Sequence, residues 1–147
     1  MRSPARLVAL CMLTACNNAP LARTLTATSP SPAQDVFQCA RDQLKAIRFD
    51  QNSIDLEAQR VTARRFDETA RRPDVQFRRV VDRLEIEAAP SESGVTTLEV
   101  IARTFGEYTT QRGPTENQEK TSETALAAAQ TILQKCSQPV DSLSVPG

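Results

Sequence analysis

Histidine and tryptophan are absent from this 147-residue chain, glycine occurs four times and tyrosine once. Without an imidazole there is no Ser-His-Asp or Cys-His catalysis, no histidine metal site, and no side chain that ordinarily changes charge near neutrality. The glycines, at Gly94, Gly106, Gly113 and Gly147, cannot be arranged into a Gly-rich loop that cradles phosphate. No excess of one charge is present either, since 18 Lys+Arg balance 18 Asp+Glu. The length allows one domain, and a fold of roughly 100 residues buries about 65% of its unfolded surface, enough for a core.

The amino terminus carries the clearest motif. A basic stretch with Arg2 and Arg6 precedes the apolar run Leu7-Val8-Ala9-Leu10-Cys11-Met12-Leu13-Thr14-Ala15 and then Cys16. Nine residues of helix cover about 14 Å, far short of a hydrocarbon core of about 30 Å, so residues 1–15 are expected to be a signal peptide rather than a membrane span. Leu13-Thr14-Ala15-Cys16 resembles a bacterial lipobox. That resemblance implies cleavage before Cys16, a thioether-linked diacylglyceryl group on its sulfur, and acylation of the new amino terminus. More than one acyl chain gives stable membrane anchoring. Asn17 follows the cysteine, which resembles the outer-membrane sorting pattern of diderm lipoproteins. The expected location is the cell envelope, on the periplasmic face of the outer membrane if the source is diderm.

Residues 16–30, biased to Thr, Pro and Ser, read as a flexible tether whose 14 residues after Cys16 could extend to about 45 Å. Residues 138–147 read as a disordered tail. The domain between, 31–137, opens on a helix in which Phe37, Ala40, Leu44 and Ile47 share a face. Ser31 is the expected cap, Pro32 the first residue, and Gln34 completes a capping box. A second helix is expected over residues 124–135, capped by Ser122, with Leu126, Ala129, Leu133 and Cys136 as its apolar stripe. The middle alternates with period two. Leu84, Ile86 and Ala88 form one strand, and Leu98, Val100, Ala102 and Thr104 its hairpin partner across a turn at residues 90–94. Ile54, Leu56 and Ala58 mark another strand, as do residues 61–66. The fold class that follows is an α+β two-layer sandwich: a four-stranded antiparallel sheet with two helices on one face.

Cysteine accounting bears on this order. With Cys11 in the signal and Cys16 taken by lipid, Cys39 and Cys136 remain as a disulfide pair in an oxidising compartment. Four strands between the helices, an even number, make the helices antiparallel and bring the two cysteines together. An odd number would run the helices parallel and place the cysteines beyond the 7 Å Cα reach of a disulfide.

Arginine is unevenly spread. Residues 60–83 hold eight arginines against four acids, whereas residues 84–147 hold four basic and nine acidic side chains. Arg60, Arg64, Arg65, Arg71, Arg72, Arg78 and Arg79 are the candidate contacts to a partner or an anion, because guanidinium forks match carboxylate and phosphate. The alternative is a solvated face whose arginines pair with local carboxylates. Phe66, Phe77, Phe105 and Tyr108 read as core or strand-end packing rather than a nucleic-acid platform, since an exported protein meets no nucleic acid. Glu85 and Glu87, about 7 Å apart, have the separation of a paired-carboxylate hydrolase, but no sugar-stacking aromatic accompanies them. Residues 109–121 read as a long polar connection, either mobile or a recognition loop.

The segment from Cys39-Ala40 through Leu44, Phe49, Ile54, Val61-Thr62-Ala63-Arg64, Leu84, Leu98-Glu99-Val100 and the closing helix resembles small bacterial envelope lipoproteins. Its layout is similar to the repeated domains of the BamC lipoprotein, an accessory of the outer-membrane β-barrel assembly machine. Arg48 stands where such chains usually have Gly, and one domain is present instead of two. The resemblance implies a membrane-anchored, non-enzymatic interaction module with an envelope protein as partner. The alternative is a binder of an anionic lipid, glycan or small molecule. No cofactor and no metal is expected.

Overall fold

The computed structural model describes residues 20–138. The expected signal peptide, Cys16, the first residues of the expected tether and nearly all of the expected tail lie outside the described residues. In chain order the elements are β1 (Arg23–Ser29), α1 (Ala33–Ala46), β2 (Asp50–Asp55), β3 (Arg60–Asp67), β4 (Phe77–Pro90), β5 (Thr96–Thr110), β6 (Gly113–Glu119) and α2 (Glu123–Cys136). The class is α+β, with an antiparallel sheet in the order β1-β5-β4-β3-β2 and β6 also on β5.

The β4–β5 hairpin is the spine of the sheet. Its residues in phase with Leu84 and Leu98 are buried against the helices, while the alternate residues face the other way. Register places Leu84 opposite Ala102 and Ile86 opposite Val100, and β3 adds Ala63 and Val61 to the same rows. Onto this surface α1 sets Val36, Phe37, Ala40 and Leu44, and α2 sets Ala125, Ala129 and Ile132, all buried in one cluster. Alanine at three of these positions leaves the space between helices and sheet to be filled mainly by medium-sized side chains, with Phe37 and Phe49 as the large members of the cluster.

Six strands form where four were expected. Residues 23–29, assigned in the sequence to the tether, are β1. Its Thr24, Thr26 and Thr28 alternate with Leu25, Ala27 and Ser29, and the latter set faces the helices because Leu25 lies opposite Val100. Threonine suits a pleated strand as well as a linker, which is why composition alone misassigned it. Residues 109–121, assigned to a polar connection, are mostly β6. This strand has no apolar alternation and is held by its backbone ladder to β5, across a tight turn in which the Thr110 hydroxyl donates to the Gly113 carbonyl, with Gly113 at φ 108°. The strand expected around 54–58 lies four residues earlier, over Asp50–Asp55, and Leu56 and Ala58 belong to the turn.

Five strands therefore separate the helices, an odd number, yet Cys39 and Cys136 are disulfide-bonded with Cα atoms 5.7 Å apart. The parity argument fails because β6 covers only half of its partner. β1 pairs with Thr96–Ala102 of β5, and β6 with Thr104–Thr110 of the same edge. The chain thus leaves the sheet midway along β5 and steps into the helix layer without reversing direction. The start of α2 is fixed there by Ser122, whose N–H donates to the Thr104 hydroxyl at 2.9 Å, whereas α1 follows Ser31, whose carbonyl accepts from Thr96 at 2.7 Å. The helices start from opposite ends of the same stretch of β5 and run antiparallel. Thr121 seals the junction, donating to the carbonyls of Leu21 and Ala102.

The helix ends show one further difference. At the start of α1 the N-cap is Pro32 rather than Ser31, with no side-chain capping bond. The start of α2 matches expectation, Ser122 accepting from the Ala125 N–H at 3.0 Å. At the end of α1, Arg48 N–H donates to Lys45 O and Phe49 N–H to Leu44 O, a Schellman arrangement in which Leu44 and Phe49 are both buried in the core cluster. Arg48 occupies the left-handed position of this motif, at φ 62°, where glycine is unstrained.

Candidate interaction surface

β4 and β5 extend well beyond the helix layer, and the connection between β3 and β4, residues 68–76, folds against that extension. Asp67 and Asp74 shape the connection. Asp67 accepts from the Thr69 N–H at 2.9 Å and the Thr69 hydroxyl at 2.6 Å, bonds that hold its carboxyl below the usual range. Asp74 accepts from the Gln76 N–H, and its carbonyl from Phe77 N–H. Arg72 is thereby returned over the sheet. It forms a two-pronged pair with Glu119, donates to the Tyr108 hydroxyl at 2.9 Å and lies 4.5 Å over the Phe77 ring, itself edge-on to Tyr108. The hydrogen bonds from Arg72 hold the Glu119 carboxyl below its usual range, and those to Glu119 push the guanidinium further up. Gly106 makes room for this knot, because a Cβ there would come within 2.5 Å of Glu119 Oε1 and 2.9 Å of the Tyr108 ring.

On the opposite face, Arg79 stacks 3.7 Å over Phe66 and pairs with both Glu107, at 3.2 Å, and Glu68, at 3.0 Å. Arg83 lies 4.5 Å over Phe105 and pairs with Glu116. The four aromatics expected in the core or at strand ends are thus half-buried at the long end of the sheet, and three of them are roofed by guanidinium groups. Each such contact contributes roughly 0.5–1 kcal/mol and shields an apolar ring from water. The sequence shows the arginine run and the aromatics separately. Their pairing spans 5 to 22 residues and depends on strand register, so no local pattern announces it.

The seven candidate arginines therefore divide. Arg60 pairs with Glu87 at 2.5 Å, Arg72 with Glu119, Arg79 with Glu68 and Glu107, and Arg78 reaches Glu107 at 3.6 Å. Arg65 is on the helix side, 5.9 Å over Phe49, apart from the rest. Arg64 faces away from the helices in a row with Arg83 and Arg103, directly across neighbouring strands, and its only close partner among the described residues is the Phe66 ring at 5.0 Å. Arg71 is exposed, and its Nη1 donates to the main-chain carbonyls of Glu68 at 2.5 Å and Ala70 at 2.9 Å, with no carboxylate partner among the described residues. Four of the seven, Arg71, Arg72, Arg78 and Arg79, gather with Glu68, Ala70 and Phe77 around one open cleft of about 400 Å³. Glu85 and Glu87, the carboxylates considered for hydrolysis, are engaged by Arg103 at 3.2 Å and by Arg60. No three His, Cys, Asp or Glu side chains gather as metal ligands among the described residues.

One buried group has no counterpart in the sequence reading. Asp82, 3% exposed, accepts from the Thr104 hydroxyl at 2.6 Å and the Ser122 hydroxyl at 2.7 Å, tying β4, β5 and the start of α2 together. The available signal was parity: Asp82 is in phase with Leu84 and Ile86 and so must face the helices.

No protein-family model and no curated protein matches the chain.

Proposed function

We propose that the chain is a lipid-anchored envelope protein that works as a non-enzymatic interaction module, using the arginine cleft at the long end of the sheet to dock an acidic group on an envelope partner. The observation that carries the docking site is Arg71. Its guanidinium is held by two main-chain carbonyls, so it is oriented without being neutralised, and Arg78 stands exposed beside it on the same cleft. Such a group forms a charge-assisted, forked bond to a carboxylate or phosphate at little ordering cost. The remaining arginines of the run serve mainly the protein itself, as roofs over aromatic rings and as cross-strand partners.

Anchoring enters through the lipobox at residues 13–16 and gains a geometric consequence from β1. Only six residues, 17–22, separate Cys16 from Arg23. At about 3.3 Å per residue this link spans at most about 23 Å, half of what a 14-residue tether would reach. Docking then takes place close to the bilayer, which favours a partner that is itself in or on the membrane. The same proximity supports the second reading, an anionic lipid or glycan as the ligand of the cleft.

Crosslinking in intact cells distinguishes these. The wild type is expected to retain a stoichiometric protein after solubilisation, and the double variant Arg71→Glu, Arg78→Glu to lose it by tenfold or more while keeping its circular dichroism spectrum. An identical set of copurifying proteins from both would sink protein docking. Loss of lipid or glycan instead of protein would assign the cleft to the second reading, and the wild type's own affinity for that ligand should fall as salt is added.

A further inference from the structure

The sheet ends on β2, which among the described residues has a single neighbour, β3, and so presents one edge of unpaired backbone groups. This edge is not flush with the helix layer. Between β2 and the flank of α1 lie two clefts of about 520 and 380 Å³, separated by Arg41, which donates to the Gln51 side chain at 3.1 Å and accepts from it through its own carbonyl at 2.8 Å. Ile54, 44% exposed, lies on the helix side of β2, opposite Val61, and lines the larger cleft; Leu56, 68% exposed, lines the smaller. One end of the groove is basic. Arg41, Lys45 and Arg48 line the larger cleft against a single acid, Asp50, and neither Arg41 nor Arg48 pairs with a carboxylate among the described residues.

Arg48 is the informative member. It is exposed and sits at φ 62°, in a cap motif that glycine would complete without strain. What the fold gains from the guanidinium is an exposed charge beside the C-terminal end of α1, a small term set against the backbone strain, and the side chain borders the groove. Strain kept at an exposed cation beside an open strand edge points to binding rather than to stability.

We propose that this groove takes an extended acidic segment of a partner protein, added antiparallel to β2 as a further strand. Main-chain bonds to the open edge would supply affinity. Groove-facing side chains would supply specificity, with apolar residues against Ile54 and Leu56 and, toward the Asp50 end, carboxylates against Arg41, Lys45 and Arg48. A second copy of this chain fits the edge poorly. Antiparallel self-pairing of β2 about its midpoint sets Asp50 against Asp55 of the other copy at both ends, a like-charge opposition. The site is distinct from the arginine cleft and does not depend on the lipid anchor.

The test uses the full chain in detergent and a nine-residue peptide with valine at positions 2 and 4, glutamate at 6 and 8, and threonine elsewhere. Binding is followed by fluorescence anisotropy and by amide chemical shifts. The expected result is binding that perturbs β2 and the outer flank of α1, at least tenfold weaker when lysine replaces both glutamates. Arg48→Gly should weaken binding about fivefold while raising the melting temperature, and Lys45→Gln, which gives up only the exposed pair of Lys45 with Asp42, should weaken it with little change in melting temperature. Four results would overturn the proposal: no binding at 1 mM peptide, perturbation confined to other surfaces, equal affinity of wild type and Arg48→Gly, or peptide-free, concentration-dependent dimerisation through β2.

Discussion

Replacing Cys39 and Cys136 together with alanine is expected to lower the unfolding free energy by about 4 kcal/mol. The bond spans a sequence separation of 97 residues, from the middle of α1 to the last residue of α2, so it constrains almost the whole domain in the unfolded state. It also ties together the two elements that cover one face of the sheet. Since domains of this size have about 5–15 kcal/mol in hand, the loss removes a large fraction of the total. Urea unfolding of wild type, double variant and reduced wild type measures it. The last two should have similar midpoints, both well below that of the oxidised protein. A difference under about 1 kcal/mol would mean that the core alone determines stability and that the bridge is incidental.

The second large effect is expected at Asp82. Its carboxylate is buried and accepts two hydroxyl hydrogen bonds, and one of those hydroxyls, on Ser122, is the cap of α2. Asp82→Ala leaves both hydroxyls without their acceptor, removes a negative charge from the positive end of the helix dipole and opens space under the cap. Together these cost about 3 kcal/mol. Asp82→Asn retains an acceptor oxygen and should cost roughly half as much. Urea midpoints give the energies, and hydrogen exchange at the Ala125 amide shows where the loss acts, because the first turn of α2 should open before the rest of the domain. Equal stability of wild type and Asp82→Ala would mean that Thr104 and Ser122 find other partners and that the α2 start is positioned by packing alone.

What could be read from the sequence was whatever carried its own period. The β4–β5 hairpin announces itself because Leu84, Ile86 and Ala88 and then Leu98, Val100 and Ala102 alternate on either side of a Ser/Gly turn, and both helices because their apolar residues recur on one face. The disulfide was available by elimination, although the strand-count argument offered for it assumed that every strand spans the full sheet. β6 does not. What escaped were elements whose conformation is imposed from a distance. β1 looks like a threonine-rich linker and β6 like a polar loop, and each becomes a strand because half of the β5 edge is free to pair with it. The same holds for the arginine run. Its charge was visible, but strand register decides that Arg79 covers Phe66 and that Arg83 covers Phe105, and the fold of the 68–76 connection decides that Arg72 is committed to Glu119 and that Arg71 has no carboxylate partner among the described residues. Arg48 could be noted as unusual in sequence. Its backbone conformation turns that departure into a physical statement, a side chain kept where the fold would accept glycine.

We propose that this small α+β domain is presented on a lipid anchor, the short link keeping it within about 23 Å of a bilayer. The measurement that tests it most directly is the mass of the amino-terminal peptide of the protein recovered from its native membrane fraction. The expected result is that residues 1–15 are gone, that Cys16 is the first residue, and that it carries a thioether-linked diacylglyceryl group and an amide-linked acyl chain. Cys16→Ser should then abolish both the modification and the membrane association. A mature chain that retains residues 1–15, or begins elsewhere with Cys16 as an unmodified thiol, would contradict it.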